Sequence, residues 1–162
     1  MRFSKTAAIL TIAFNSGLLA FTATPAAAQT DPDVQSAMDQ LNAGRADAAY
    51  SALKVREDKR AGEPDFDMAL GLAALESSRF GEAILAFQRV LAVEPGNARA
   101  QAELARAYAM AGDVDTARAE FETVRGDPSI PDPVRNRIDG VVRQLDTAIA
   151  GGASEITGYF DV

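Results

Sequence analysis

The sequence predicts an all-α solenoid of helical hairpins, closed by a final capping helix. Three observations carry that reading. Alanine is the commonest residue and aromatics make up only 7%, a composition that favours helices because Ala loses no side-chain entropy in one. Reading the chain against itself at an offset of 34 residues brings like residues into register. Turn-forming residues then fall at the same place in successive units.

The first element is a leader. Arg2 and Lys5 form a basic start, an apolar stretch follows from Ala7 to Phe21, and Thr24-Pro25-Ala26-Ala27-Ala28 supplies the small residues that suit signal peptidase. The apolar stretch is about 15 residues, short of the roughly 20 needed to span a bilayer. Residues 1–28 are expected to be a secretory signal peptide, cut after Ala28, for a protein that works in a bacterial periplasm. Its loss removes two basic residues and takes the net charge from −7 to −9.

Residues 29–150 hold the repeats. At the 34-residue offset Leu70 falls on Leu104, Gly71 on Ala105, Ala83 on Ala117, Phe87 on Phe121 and Val90 on Val124. One further step back gives Ala37, Ala49 and Leu53 at small, small and large positions. Each unit reads as two helices of about a dozen residues with a short turn between them. Leu70, Gly71 and Ala74 share one helical face, and Ala83, Phe87 and Val90 recur at i, i+4, i+7. Small residues at 71, 83, 105 and 117 let helix backbones approach closely. The turns are Leu41-Asn42-Ala43-Gly44, Leu75-Glu76-Ser77-Ser78 and Ala109-Met110-Ala111-Gly112. Asp31, Asn97, Asp113 and Asp132 stand where helix caps are needed, with Pro32 and Pro133 suited to a first helical position.

These residues resemble a tetratricopeptide repeat protein. The resemblance rests on Leu70-Gly71, Ala74, Ala83, Phe87 and Pro95 in the middle unit, and on Leu104-Ala105, Tyr108, Ala117 and Phe121 in the third. Asp67 and Gln101 stand where the family often has Trp. The first unit is degenerate, leaving through Glu57-Asp58-Lys59-Arg60-Ala61-Gly62-Glu63-Pro64 without the family's proline spacing. About three units plus a cap are expected, which is what a solenoid needs for stability.

The cap opens at Pro131-Asp132-Pro133. Val134, Ile138, Val141, Val142, Leu145 and Ile149 form one apolar stripe of it, with Arg135, Arg137, Arg143 and Asp146 mostly on the other side. A helix that docks a partner is the alternative to a closing helix. Gly151-Gly152 ends it. Residues 151–162 then form a tail in which Ile156, Gly158, Phe160 and Val162 alternate with Thr157, Tyr159 and Asp161. That period-two pattern fits the start of a membrane β-barrel strand as well as an unstructured tail. Leader, repeats, capping helix and Gly-Tyr strand together resemble the amino-terminal part of the surface lipoprotein assembly modifier family. The resemblance implies a periplasmic repeat domain joined to an outer-membrane barrel.

Composition excludes much chemistry. Without Cys there is no disulfide, thiolate metal site or Cys nucleophile; without His, the usual general base and the commonest zinc ligand are missing. The acidic balance argues against nucleic acid. No Walker loop, HExxH or G-x-S-x-G occurs. The Asp-x-Asp pairs at 31/33, 65/67 and 113/115 lie near helix starts, where capping and the helix dipole account for them. Calcium is a poor fit because the next ligand after Asp113 and Asp115 would be Ala117. We therefore expect no enzyme, no cofactor and no metal, but a module that binds a protein or peptide.

From the repeat resemblance, the first helix of each unit lines a concave groove. The candidates are Met38, Leu41 and Asn42, then Met68, Leu72, Leu75 and Glu76, then Arg99, Glu103, Arg106 and Met110. Met68, Leu72 and Leu75 recur at i, i+4, i+7 as a stripe that something must cover. It is either a partner's docking surface or ordinary core beneath a neighbouring helix. A carboxylate clamp is disfavoured, because Val34, Met38 and Ala69 stand where the resemblance would place polar clamp residues. The expected role is a periplasmic binding domain of an outer-membrane barrel protein, the alternative being a free-standing periplasmic adaptor in envelope assembly or cell division.

Overall fold

The computed structural model describes residues 31–128 and 130–150, and folds them into eight helices. They are α1 (Pro32–Asn42), α2 (Ala46–Lys54), α3 (Glu57–Arg60), α4 (Pro64–Glu76), α5 (Phe80–Val93), α6 (Ala98–Met110), α7 (Val114–Gly126) and α8 (Asp132–Ala150). The first helices of the units end at 42, 76 and 110, and the second helices begin at 46, 80 and 114. The 34-residue period therefore holds in the backbone through all three hairpins. The degenerate exit of the first unit is used differently, since α3 adds a single extra turn of helix before α4. Residues 1–28 and the alternating tail lie outside the described residues. No helix among the described residues is long and apolar enough to cross a membrane.

The intra-repeat turns share one backbone device. Gly44, Ser78 and Gly112 occupy equivalent positions, and all have positive φ, at 69°, 61° and 85°. A left-handed residue ends the first helix and redirects the chain into the second. Glycine suits that conformation, whereas an L side chain is strained in it. Ser78 is exposed. Ser78→Gly is therefore expected to raise stability by about 0.5–1 kcal/mol in thermal melts, the relief of strain exceeding the added freedom of the unfolded chain.

Three of the expected caps form. Asp31 accepts from the backbone N–H groups of Asp33 and Val34, Asn97 from Ala100, and Asp113 from Thr116. Asp31 also receives Arg60, whose guanidinium lies 2.5 Å from its carboxylate and 4.7 Å from the Phe66 ring centre. The Arg60 hydrogen bond, with the cap bonds, lowers the Asp31 pKa from 3.8 to about 2. A carboxyl lowered on folding stabilises the protein above its unfolded value. That contribution should fade as pH falls from about 4 towards 2. Asp31→Asn is expected to flatten that part of the acid-unfolding curve, as followed by circular dichroism.

Packing explains the small residues. A Cβ built on Gly71 would come within 2.5 Å of the Phe87 ring, which is itself fully buried. The close approach of α4 to α5 thus depends on the missing side chain. Ala83, Ala105 and Ala117 are fully buried at the corresponding crossings. One apolar cluster centres on α4, with Phe66, Leu70, Leu75, Phe87 and Leu53 at its heart. The second joins α6 and α7 to the cap through Val124, Phe121, Ile138, Val142 and Leu145.

Two expectations change here. Asp67 is not a capping acid but is wholly buried, with one carboxylate oxygen accepting from the Gly62 N–H at 2.7 Å and the other from Arg89 at 2.7 and 2.9 Å. It ties the loop that leaves the first unit to α5. The second change concerns the α4 stripe. Leu75 is 1% exposed and Leu72 8%, and Met68 packs partly buried against the same cluster. α4 is apolar on nearly every side because it is the central helix, packed by α1, α2, α5 and α6. The neighbouring helices cover most of the stripe.

A concave face with two recesses

α1, α4 and α6 stand in succession along one side of the solenoid, with α2, α5 and α7 behind them. α8 packs on α7. Between α1 and α4 lies a recess of about 340 Å³, bordered by Met38, Leu41, Asn42, Leu72 and Glu76. Between α6 and α8 lies a larger cleft of about 840 Å³. Its floor is Phe121 and Val124 of α7, its near wall carries Ala98 and Ala102, and its far wall carries Val134, Ile138 and Val141. Glu76 reaches both cavities, which makes them parts of one face.

Of the residues expected in the groove, Met38, Leu41, Asn42 and Leu72 line the first recess and Arg99, Glu103 and Arg106 the second, with Glu76 between them. Met68, Leu75 and Met110 line neither cavity and belong with the α4 core. Leu72 is reachable from the recess but carries little free area, so Leu72→Asp places a charge in the core and is no test of binding alone.

The charges on this face are unequal. Arg106 is engaged by Glu76 at 2.5 Å and Glu103 at 3.3 Å. Burial works against its charge, but Glu76 and Glu103 outweigh that and hold its pKa above the ordinary value. Its Nε is buried without a hydrogen-bond partner. Arg99 and Arg137 also line the cleft, are exposed, and form no ion pair with any described residue. By contrast Arg118 pairs with Asp146, and Arg125 with Glu122 and Asp139.

The share of α8 in this face is not legible in the sequence: Val134, Ile138, Val141, Val142 and Leu145 form a single stripe of ordinary width, which a helix that only closes α7 would show as well. Ile138, Val142 and Leu145 are buried against the last repeat, while Val134 remains 41% exposed at the cleft. Arg137 borders the Val134–Val141 edge of that stripe instead of lying opposite it. Among the described residues no group of three acidic side chains is placed to hold a metal ion.

Comparison with known families agrees with this architecture. Residues 74–127 match the tetratricopeptide repeat family. The fold is an all-α solenoid of helical hairpins, similar over those residues to tetratricopeptide repeats. The match covers about a third of the chain, from the end of α4 through α7, and the backbone period carries the pattern back through α1 and α2. No curated protein matches the chain. Tetratricopeptide repeats are protein-interaction modules, and among the described residues the concave face carries both recesses together with the exposed, unpaired Arg99 and Arg137.

Proposed function

We propose that the protein is a periplasmic binding module that holds a segment of a partner protein along its concave face, as the N-terminal domain of an outer-membrane barrel protein. One observation carries the binding part of this reading. The inner helices and the cap leave two apolar-floored recesses, of about 340 and 840 Å³, that share Glu76 and suit an extended or helical segment. Support for the location comes from the sequence alone: the leader ending at Ala28 and the alternating residues from Ile156 to Val162.

Site-specific photocrosslinking in a bacterial host tests both parts. A photoreactive residue at Asn42, Glu76 or Arg99 is expected to trap a partner, whereas the same residue at Val55, exposed just past the end of α2, or at Leu85, exposed on α5, is not. The trapped species should be released by osmotic shock or found with the outer membrane, and its N-terminus should begin after Ala28. Adducts formed equally at Val55 and Leu85 would remove the concave face from the account. A chain retained in the cytoplasm with its leader intact would remove the periplasmic location.

A further inference from the structure

The cleft between α6 and α8 has features that the recess between α1 and α4 lacks. α4 packs against both α1 and α6, but α8 leans on α7 and stands off from α6. That stand-off leaves a trough of about 840 Å³ floored by Phe121 and Val124. A volume of this size is in the range of ligand sites and holds several side chains. Val134 sits half-exposed on its wall, continuous with the apolar residues Ile138 and Val141 that line the same trough.

The rim adds a second, independent observation. In a chain of net charge −7, most arginines are matched to a carboxylate, and Arg106 beside the cleft is engaged by two. Arg99 on one wall and Arg137 on the other are not. Two exposed, uncompensated cations that line one apolar-floored cleft from different helices attract an anionic group on an otherwise apolar occupant. An arginine fork takes a carboxylate through two parallel hydrogen bonds, which gives direction as well as energy.

We propose that the α6–α8 cleft takes a short apolar peptide segment bearing an acidic side chain, its apolar residues on Phe121, Val124, Val134 and Val141 and its carboxylate between Arg99 and Arg137. This deepens the binding reading above and rests on it. The second cation is supplied by the capping helix, so the cap is part of the binding site and not only a lid on the core.

The test is selection of a random dodecapeptide display library against the full chain and against the Arg99→Glu/Arg137→Glu double variant. Both arginines are exposed, so circular dichroism of the variant should match the parent. The parent is expected to enrich peptides with Asp or Glu flanked by Leu, Ile, Val or Phe. A synthetic peptide from that set should bind the double variant at least about tenfold more weakly, and its Asp→Asn form should lose a similar factor on the parent. Enriched peptides with no acidic bias, or equal affinity for parent and variant, would overturn the proposal while leaving the concave-face reading in place. Failure to enrich any peptide would overturn both. Tighter binding by a chain ending at Ala150 would show that residues 151–162 compete for the cleft, against a partner segment as its occupant.

Discussion

Asp67→Ala is expected to cost about 3 kcal/mol of unfolding free energy in urea titrations. The wild-type carboxylate is fully buried, and each oxygen has its own donor: the Gly62 N–H on one side and the Arg89 guanidinium on the other. Removing it strands a backbone donor and leaves a largely desolvated cation without its main partner. The loss should stay near the lower end for broken buried pairs, because Arg89 keeps Glu57 at 3.0 Å and part of the guanidinium reaches water. Asp67→Asn should fall between wild type and Ala, since an amide can still accept one of the two bonds. An Ala variant as stable as wild type would mean that the pair is dispensable to the junction between the first unit and α5.

A still larger effect is expected from Ala117→Arg. Ala117 is fully buried on α7, within the cluster that joins α6 and α7 to the cap. Forcing in a long side chain costs the roughly 1–3 kcal/mol of overpacking, and its charge has no buried partner to meet. The total should exceed about 3 kcal/mol and lower the melting temperature strongly. Ala119→Arg, two residues along on the exposed side of the same helix, should change stability by no more than about 0.5 kcal/mol. Equal melts for the two variants would contradict the register that equates Ala117 with Ala83.

Much of the fold was legible because the repeat constrains it twice, once through the apolar period and once through the turns. Gly44 and Gly112 announce left-handed positions directly, and the 34-residue offset places Ser78 with them although serine alone gives no such signal. The caps at Asp31, Asn97 and Asp113 were readable for the same local reason: a short oxygen-bearing side chain before a helix meets free N–H groups two and three residues on. Gly71 was readable as a close-approach residue, and the Phe87 ring is what it approaches.

What escaped was decided by neighbours distant in sequence. Asp67 has the spacing of an acid at a helix start, and only the fold brings Arg89 and Gly62 to it. Met68, Leu72 and Leu75 have a helix-face period that serves groove and core equally well, and the packing of α1 and α6 around α4 decides for core at Leu75. Arg106 reads as a free groove cation until Glu76, thirty residues earlier, is seen beside it. Arg137 reads as a solvent-facing residue of a cap until α8 is seen standing away from α6. Each of these depends on the angle at which one helix meets the next, which a period does not encode.

A partner segment held on the concave face lies in the cleft that the cap completes. The most direct measurement is methyl-resolved NMR of the full chain titrated with a peptide enriched by the library selection. Shifts are expected to concentrate on Ala98, Ala102, Val134, Ile138 and Val141, with smaller changes at Met38 and Leu41 and none at Val55, Leu85 or Val93. Shifts centred on Val55, Leu85 and Val93, with the cleft methyls unmoved, would contradict that placement.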